Sequence, residues 1–274
     1  MKKILLIFIL IIFTLTLSVG EKRTIAVSIP PLESITKYIV GKEWDVVTLL
    51  KGNFNPHIFE PTPQTMKDIE RSQFVILNGG DVDLWAEKLI IKKNFIKVIE
   101  NIKLDNENPH VWLDPILTKE IAKNISLKLI SLDPTNRVYY ENNLKNYNKK
   151  IDQLDLYIKK ELSNFPKKEV IAYHPSWYYF FKRYNIKVIT YIEEGEGKEP
   201  SPKKIAEIIQ LIRKSHIKAI FKEPFSDPPI LNIIQKETGV KIINLDPIGY
   251  NKDYFELIKE NLSILKQVFY EQNH

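Results

Sequence analysis

The stretch that decides the fold is residues 133–166, which reads DPTNRVYYENNLKNYNKKIDQLDLYIKKELSNFP. Its first two residues, Asp133 and Pro134, are typical of a helix start, because aspartate caps the first turn and proline is tolerated at the first helical position. Apolar side chains then recur at intervals of three or four residues, at Tyr140, Leu144, Tyr147, Ile151, Leu154, Ile158 and Leu162. The pattern predicts one helix of about 30 residues, roughly 45 Å long, that ends before Pro166.

This predicted helix is not an ordinary crossover between strands, because no strand pattern occurs within its length. One alternative is half of a coiled-coil dimer. A single apolar face without a sustained polar heptad code favours packing inside one chain. We therefore expect a rigid spine that joins two lobes.

On both sides of the spine, short β-branched runs alternate with helical patterns, which is typical of parallel βαβ units. The predicted strands are 24–28, 46–50 and 74–78 before the spine, and 170–173, 188–191, 219–221 and 241–244 after it. Predicted helices between them include 32–40, 63–71, 202–214 and 228–238. The expected fold is α/β, with two lobes (21–132 and 166–274), each a mostly parallel sheet flanked by helices, joined by one long spine helix at 133–165.

The N-terminal segment has the order of a secretory signal peptide. Two lysines follow Met1, an almost unbroken apolar run covers residues 4–17, and small residues at Ser18 and Gly20 precede the charged Glu21. This order predicts a signal peptide at residues 1–20 that is cleaved after Gly20. The alternative is a retained membrane anchor.

The chain contains no cysteine, which excludes disulfides, thiolate metal sites, cysteine nucleophiles and lipid attachment through an N-terminal cysteine. We therefore expect a free periplasmic protein, without a lipobox. The formal net charge is +6, and lysines are interleaved with glutamates on helical faces. This distribution is typical of a solvated surface and argues against a nucleic-acid partner.

Three of the five histidines lie beside a proline. The tripeptide Asn-Pro-His occurs twice, ending at His57 and at His110, and His174 is followed by Pro175. Because proline fixes φ, it stiffens the loop and holds the imidazole in place before any ligand arrives. His216 and His274 lack this context, and we expect both to be surface residues.

The positions of these histidines in the expected fold indicate a shared site. His174 directly follows a predicted strand, and Asp246 follows another, where ligand sites of α/β sheets collect. His57 and His110 lie in loops of the first lobe, so two candidate ligands come from each lobe. Three imidazoles and one carboxylate suit a tetrahedral zinc ion, which predicts a metal site between the lobes.

Five segments resemble one known family, the zinc and manganese solute-binding proteins of ABC transporters, called the cluster A-I or cluster 9 group. The matching segments are HIFEP at 57–61, NPHVWLDP at 108–115, HPSWYYF at 174–180, KEP at 222–224 and LDPIG at 245–249. The resemblance extends over the whole chain after the signal peptide and includes the spine helix. It implies a monomeric periplasmic protein that binds Zn²⁺, with Mn²⁺ as the alternative, and delivers it to a membrane permease.

The resemblance also implies roles for individual residues. His57, His110, His174 and Asp246 correspond to the metal ligands. Two further groups are implied nearby: Glu60 as a second-sphere or alternative ligand, and Asp114 with Glu223 as supports. It implies no catalytic residue and no other small-molecule substrate.

One departure from the resembled family leaves the metal open. Many zinc-specific members have a histidine- and acid-rich loop between the first two ligand histidines, and this chain has none between Phe59 and Pro109. The absence keeps manganese or iron possible. The imidazole at His174 favours zinc, because manganese members often have a carboxylate there and manganese prefers oxygen donors.

Two other functions remain open from the residues alone. A zinc hydrolase would use the three histidines as ligands, leave one position for water and use Glu60 as a base. Against it, the chain has no His-Glu-x-x-His helix. A binder of iron chelates, haem or a corrinoid would suit the spine architecture but would leave the three histidines without a purpose.

Overall fold

The computed structural model describes residues 23–193, 195, 197–215 and 217–274. The predicted signal peptide at residues 1–20 and His216 therefore lie outside the described residues. Within the described ranges, none of the helices is both long enough and apolar enough to cross a membrane.

The first lobe is a four-stranded parallel sheet in the order β2-β1-β3-β4. Its elements are β1 (Thr24–Val27), α1 (Pro30–Val40), β2 (Asp45–Thr48), α2 (Pro63–Arg71), β3 (Phe74–Leu77), α3 (Leu84–Glu87), β4 (Phe95–Lys97) and α4 (Leu117–Leu132). All four residues of β3 are buried, as expected for a parallel strand covered on both faces. The predicted strands are present, each one or two residues shorter or shifted, whereas β4 was not predicted because three partly exposed residues give no readable period.

The second lobe repeats this order with strands β6-β5-β7-β8, again all parallel. Its elements are β5 (Glu169–Ala172), α6 (Tyr178–Arg183), β6 (Lys187–Tyr191), α7 (Pro202–Ser215), β7 (Ala219–Lys222), α8 (Pro229–Thr238), β8 (Lys241–Asn244) and α9 (Tyr254–Asn273). In each sheet the second strand lies on one side of the first strand and the third strand lies on the other side, so the order of the strands reverses at this point. The carboxyl ends of those strands form the crevice where α/β sheets bind ligands.

The spine is confirmed as one helix, α5 (Arg137–Ser163), of 27 residues. At 1.5 Å per residue it is about 40 Å long. The helical segment begins at Pro134 with Asp133 at its N-cap, as predicted, but its first three residues, Pro134–Asn136, form a 3₁₀ turn that leads directly into α5. The N–H of Asp133 also donates to Leu129 O at the end of α4. The predicted apolar face is buried except for Leu144, which is half-buried against the same core.

The largest apolar core runs through both lobes along α5, and each lobe has a smaller apolar cluster of its own. The largest core includes side chains from the first sheet, from α4 and α5, and from β5, α6 and α9 of the second half. The start of α9 also bonds to the first lobe, since Tyr254 N donates to Ser34 Oγ at 2.9 Å and Tyr254 OH donates to Trp112 O at 2.8 Å. Because separating the lobes would expose this shared core, the fold resists wide opening.

A buried polar cluster fixes the first turn of α5 to the first lobe. Tyr140 OH donates to Asp133 Oδ2 at 2.8 Å and accepts from Trp44 Nε1 at 2.9 Å. The Arg23 guanidinium donates to Asp133 Oδ2 at 2.7 Å and lies 4.2 Å above the Trp44 ring. Burial opposes the charge of Asp133, but its hydrogen bonds outweigh that effect and hold the pKa of this carboxyl well below its usual value.

Replacing Tyr140 by Phe tests this cluster. The substitution keeps the ring and removes the hydroxyl that links Trp44 Nε1 to Asp133, leaving a buried donor and part of a buried carboxylate without that partner. We expect the free energy of unfolding to fall by about 1–3 kcal/mol. Thermal or urea unfolding followed by circular dichroism measures this loss.

The matched control for this test is Tyr139→Phe. Tyr139 is the neighbouring residue, is 37% exposed, and its hydroxyl accepts a long hydrogen bond of 3.4 Å from Lys42 N. Its loss should change stability by less than about 0.5 kcal/mol. Equal losses in the two variants would contradict the role assigned to the buried cluster.

Candidate metal centre

Three histidines from three separate loops converge on one point. One ring nitrogen of each of His57, His110 and His174 lies within 4.8 Å of those of the other two. Their ring centroids are 5.1–5.4 Å apart, and the Nε2 atoms of His57 and His110 are separated by 3.1 Å. Two nitrogens bound to a tetrahedral zinc at about 2.0–2.1 Å lie roughly 3.3 Å apart, so the spacing is close to that of a ligand pair.

The repeated Asn-Pro-His tripeptide builds the same local turn twice. Asn55 Oδ1 accepts the backbone N–H of His57 at 3.0 Å, and Asn108 Oδ1 accepts that of His110 at 2.9 Å. Asparagine favours such turns because its side chain replaces a backbone acceptor, while the intervening proline fixes φ. Each turn therefore sets the direction of its histidine independently of the rest of the lobe.

Each of the three histidines has an oxygen atom next to Nδ1. Asn108 Oδ1 lies 2.8 Å from Nδ1 of His110, Glu193 Oε2 lies 2.6 Å from Nδ1 of His174, and Asp81 Oδ1 lies 3.3 Å from Nδ1 of His57. A neutral histidine that donates Nδ1–H has its lone pair on Nε2. The three oxygens thus select the tautomer that presents Nε2 to a metal ion, an arrangement found around most metal-binding histidines.

The loop that carries His110 is bonded to both lobes. From the first lobe, Asn78 Nδ2 donates to Pro109 O at 3.1 Å. The bonds to the second half are Asn108 Nδ2 to Pro175 O at 2.9 Å, Tyr179 OH to Asn108 O at 2.8 Å, and Trp112 Nε1 to Pro247 O at 2.8 Å. The histidine cluster therefore lies between the lobes, as the sequence predicts.

The cavity at the cluster is small and mostly closed. Its free volume is about 30 Å³, and its walls include the three histidines with Trp112, Glu193, Glu223, Phe225 and Ile248. The His57 side chain is 6% exposed and that of His174 is 13% exposed. A cavity of this size accommodates an ion with a water molecule, and it is far too small for haem, a corrinoid or an iron chelate.

The electrostatics of the cavity favour a cation. Burial, reinforced by the neighbouring His174 and His57, places the pKa of His110 well below the usual value, so its imidazole is neutral at pH 7. Neutral imidazole is the form that binds a metal. Burial also raises the pKa of Glu223, although His174 and a 2.6 Å bond from Ser176 Oγ oppose that rise. A divalent ion in this cavity would offset the cost of burying such carboxylates.

Asp246 is not part of the histidine group in the described residues. Its Oδ1 accepts the N–H groups of Ile248 and Gly249 at 2.9 and 3.0 Å, and its own N–H donates to Asn261 Oδ1 at 2.8 Å. These bonds make Asp246 the cap of a tight turn after β8. The next two residues, Pro247 and Ile248, line the cavity, whereas Asp246 itself is not among the lining residues.

The remaining residues singled out from the sequence occupy different places. Glu60 is exposed and lines a neighbouring surface groove with Phe54 and Ile58, and Glu223 lines the cavity itself. Asp114 caps the start of α4 through Ile116 N at 2.8 Å and pairs with Arg183 Nε of α6. Asp114 therefore ties the lobes together outside the cavity.

His274 is exposed and stacks on the Tyr270 ring at 4.3 Å, as expected for a surface residue. His216 was expected at the surface too, but it lies outside the described residues.

Two partners of the histidines, Asp81 and Glu193, were not singled out from the sequence. Both were detectable in principle from their place in the fold, since Glu193 follows the end of β6 just as His174 follows the end of β5. Asp81 follows β3 after two glycines with positive φ, Gly79 and Gly80. Neither residue has a motif of its own, and for Glu193 only the pairing of β5 with β6 reveals its neighbour.

Comparison with known proteins gives a consistent result. A model of the family described as "ZnuA: Zinc-uptake complex component A periplasmic" matches residues 25–268. The chain is 32% identical to a putative metal-binding protein of Thermotoga maritima, over 97% of this chain and 99% of that protein. It is 27% identical to the manganese ABC transporter substrate-binding lipoprotein PsaA of Streptococcus anginosus, over 89% and 88% of the two chains.

A solved structure described as the crystal structure of ZnuA matches with a TM-score of 0.80 and 31% sequence identity, over 89% of this chain and 98% of that one. The two-lobed fold with its long connecting helix is thus shared with that protein, and the resemblance inferred from the motifs is confirmed. The chain belongs to the ZnuA family, the metal-binding solute-binding proteins of zinc and manganese ABC transporters.

Proposed function

We propose that this protein captures Zn²⁺ in the periplasm, after cleavage of residues 1–20, and hands it as a monomer to the permease of an ABC transporter. The observation that supports this most strongly is the convergence of three imidazoles, each with an oxygen next to Nδ1. The ion is cargo, bound and released unchanged, and no residue is proposed to act in catalysis.

We propose His57, His110 and His174 as three ligands and Asp246 as the fourth. Oδ1 of Asp246 accepts two backbone N–H groups, which orients the carboxylate, so the coordinating atom is Oδ2. In this proposal Oδ2 of Asp246 completes the coordination of an ion held by the three histidines. Three nitrogens and one oxygen then form the tetrahedral set that zinc prefers.

The proposed working units are the lobes at 21–132 and 166–274, joined by the spine at 133–165. The core shared along α5 opposes a wide hinge motion. Loading and release therefore proceed through a small tilt of the lobes and local movements of the ligand loops.

The first test measures how metal binding stabilises the fold. A ligand that binds only the folded state, present at about 100 times its dissociation constant, adds roughly 2.7 kcal/mol. For a chain of this size, zinc should therefore raise the melting temperature of the wild-type protein by about 5–10 °C. Differential scanning calorimetry with and without zinc should show that His110→Ala loses this shift.

The matched control for the thermal shift is His274→Ala, which removes an exposed imidazole that stacks on Tyr270 at the end of α9. It should keep the full shift. His57→Ala gives an independent second variant if His110→Ala unfolds. Retention of the zinc shift in both site variants would show that the ion binds elsewhere.

The second test concerns pH, because protons and the metal compete for the same nitrogens. Lowering the pH protonates imidazoles and must weaken binding, beginning near the reference imidazole pKa of about 6.5. Burial keeps the pKa of His110 well below that value, so His110 adds to the loss only at lower pH and steepens it there. Isothermal titration between pH 8 and pH 5 measures the profile. A constant affinity across this range would rule out a histidine-dominated site.

The third test decides between zinc and manganese. Relatives of both types exist, and the donor set favours zinc, since manganese prefers oxygen ligands and binds more weakly to sites of mixed nitrogen and oxygen. In a competition titration with equimolar ions, the wild-type protein should bind zinc. His174→Glu should shift the preference towards manganese, because it replaces one nitrogen donor with oxygen. Retention of manganese by the wild-type protein against zinc would overturn the zinc assignment.

A further inference from the structure

We infer that Glu193 is the residue that positions His174 and sets the strength of the zinc preference, an inference that rests on the proposed role of His174 as a ligand. In this inference Glu193 acts on the ion through His174. The contact that supports the inference is the 2.6 Å bond between Glu193 Oε2 and His174 Nδ1. The position of Glu193 in the sheet, the hydrogen bond of its second carboxylate oxygen and the burial of its side chain indicate that the fold determines this contact.

The register of two parallel strands places Glu193 beside His174. The ladder between β5 and β6 continues beyond the last residue of each strand, since Ile192 N donates to Ala172 O and Glu193 N donates to Tyr173 O, both at 3.0 Å. Tyr173 directly precedes His174. The two side chains are therefore neighbours because the backbones are paired, and not because of a chance rotamer.

Both carboxylate oxygens of Glu193 have partners. While Oε2 lies against His174, Oε1 accepts the N–H of Gly197 at 2.8 Å. Gly197 itself has a φ of +70°, a conformation that favours glycine. Held on both sides, the carboxylate fixes the plane of the imidazole as well as its tautomer.

Glu193 differs from the two other oxygen partners of the site. The partner of His110 is a neutral amide, Asn108, at 2.8 Å, and the carboxylate beside His57 is Asp81, whose side chain is 54% exposed and whose Oδ1 lies 3.3 Å from Nδ1. The Glu193 side chain is 7% exposed. A buried carboxylate is weakly screened and forms the stronger, charge-assisted hydrogen bond. Of the three oxygens, that of Glu193 has the largest effect on its histidine.

The chemical consequence is a stronger nitrogen donor at His174. A carboxylate that accepts Nδ1–H raises the basicity of Nε2, and loss of such a partner typically weakens metal binding about 10–100-fold. Zinc depends on nitrogen donors more than manganese does. Removal of Glu193 should therefore weaken zinc binding more than manganese binding and reduce the ratio of the two affinities.

The experiment compares Glu193→Ala and Glu193→Gln with the wild-type protein and with Glu199→Gln, a control that removes an exposed acid from the same loop. We expect Glu193→Ala to lose about 10–100-fold in zinc affinity. Glu193→Gln should lose less zinc affinity than Glu193→Ala, because its amide oxygen still accepts from His174 Nδ1. It should still lose some, because its NH₂ group cannot accept the N–H of Gly197. Glu199→Gln should match the wild type.

Two readouts separate positioning from a general loss of structure. Competition titration gives the zinc-to-manganese affinity ratio, which should fall in both Glu193 variants. The visible absorption of bound Co²⁺ reports coordination geometry, and it should change in Glu193→Ala while remaining like the wild type in Glu199→Gln. If Glu193→Ala does not fold, the zinc-to-manganese affinity ratio of Glu193→Gln alone tests the inference.

A Glu193 variant that folds and retains the wild-type affinity ratio would overturn the inference. A further variant, His174→Ala, keeps this failure distinct from failure of the proposed function. If His174→Ala loses zinc binding while the Glu193 variants do not, only the inference fails. If His174→Ala retains zinc binding, the proposed ligand set fails and the inference fails with it.

Discussion

The burial of one apolar face along the full length of α5 is the constraint on which the other features depend. Side chains of both lobes pack against this face, so the two sheets share one core and cannot move far apart. The loops that carry the three histidines are therefore held close to one another. His110 is the most strongly restrained of the three, since its loop is hydrogen-bonded to both lobes. The histidines meet because the scaffold leaves them little freedom, which reduces the entropy lost when an ion binds.

The sequence was sufficient for the fold class and for the long helix, since a 3.6-residue apolar period over some seven turns has no competing interpretation. The cap chemistry of Asp133 and Pro134 correctly predicted the helix start, but a local pattern cannot show that the first turn is 3₁₀ or that Arg23 and Tyr140 bond to Asp133. The sequence missed β4, whose three residues depend on pairing with β3 for their conformation. Local signals fail where distant contacts decide the geometry.

The histidines were predictable because each has a local signature, a neighbouring proline and, for two of them, a capping asparagine. The proposed ligand Asp246 was placed correctly after a strand, but a sequence cannot show that its carboxylate faces a turn. Glu193 was missed for the opposite reason. Its neighbour on the adjacent strand is 19 residues away in sequence, and only the register between β5 and β6 brings them together.

The shared core also has a consequence for how the protein unfolds. In many two-lobed proteins each half has its own core and can melt alone. Here each lobe has a smaller cluster of its own, but loss of one sheet would also expose the core shared along α5, which adds to the cost of partial unfolding. The lobes should therefore melt in one cooperative transition. Proteases that cleave transiently opened chains therefore gain little access through a detached half.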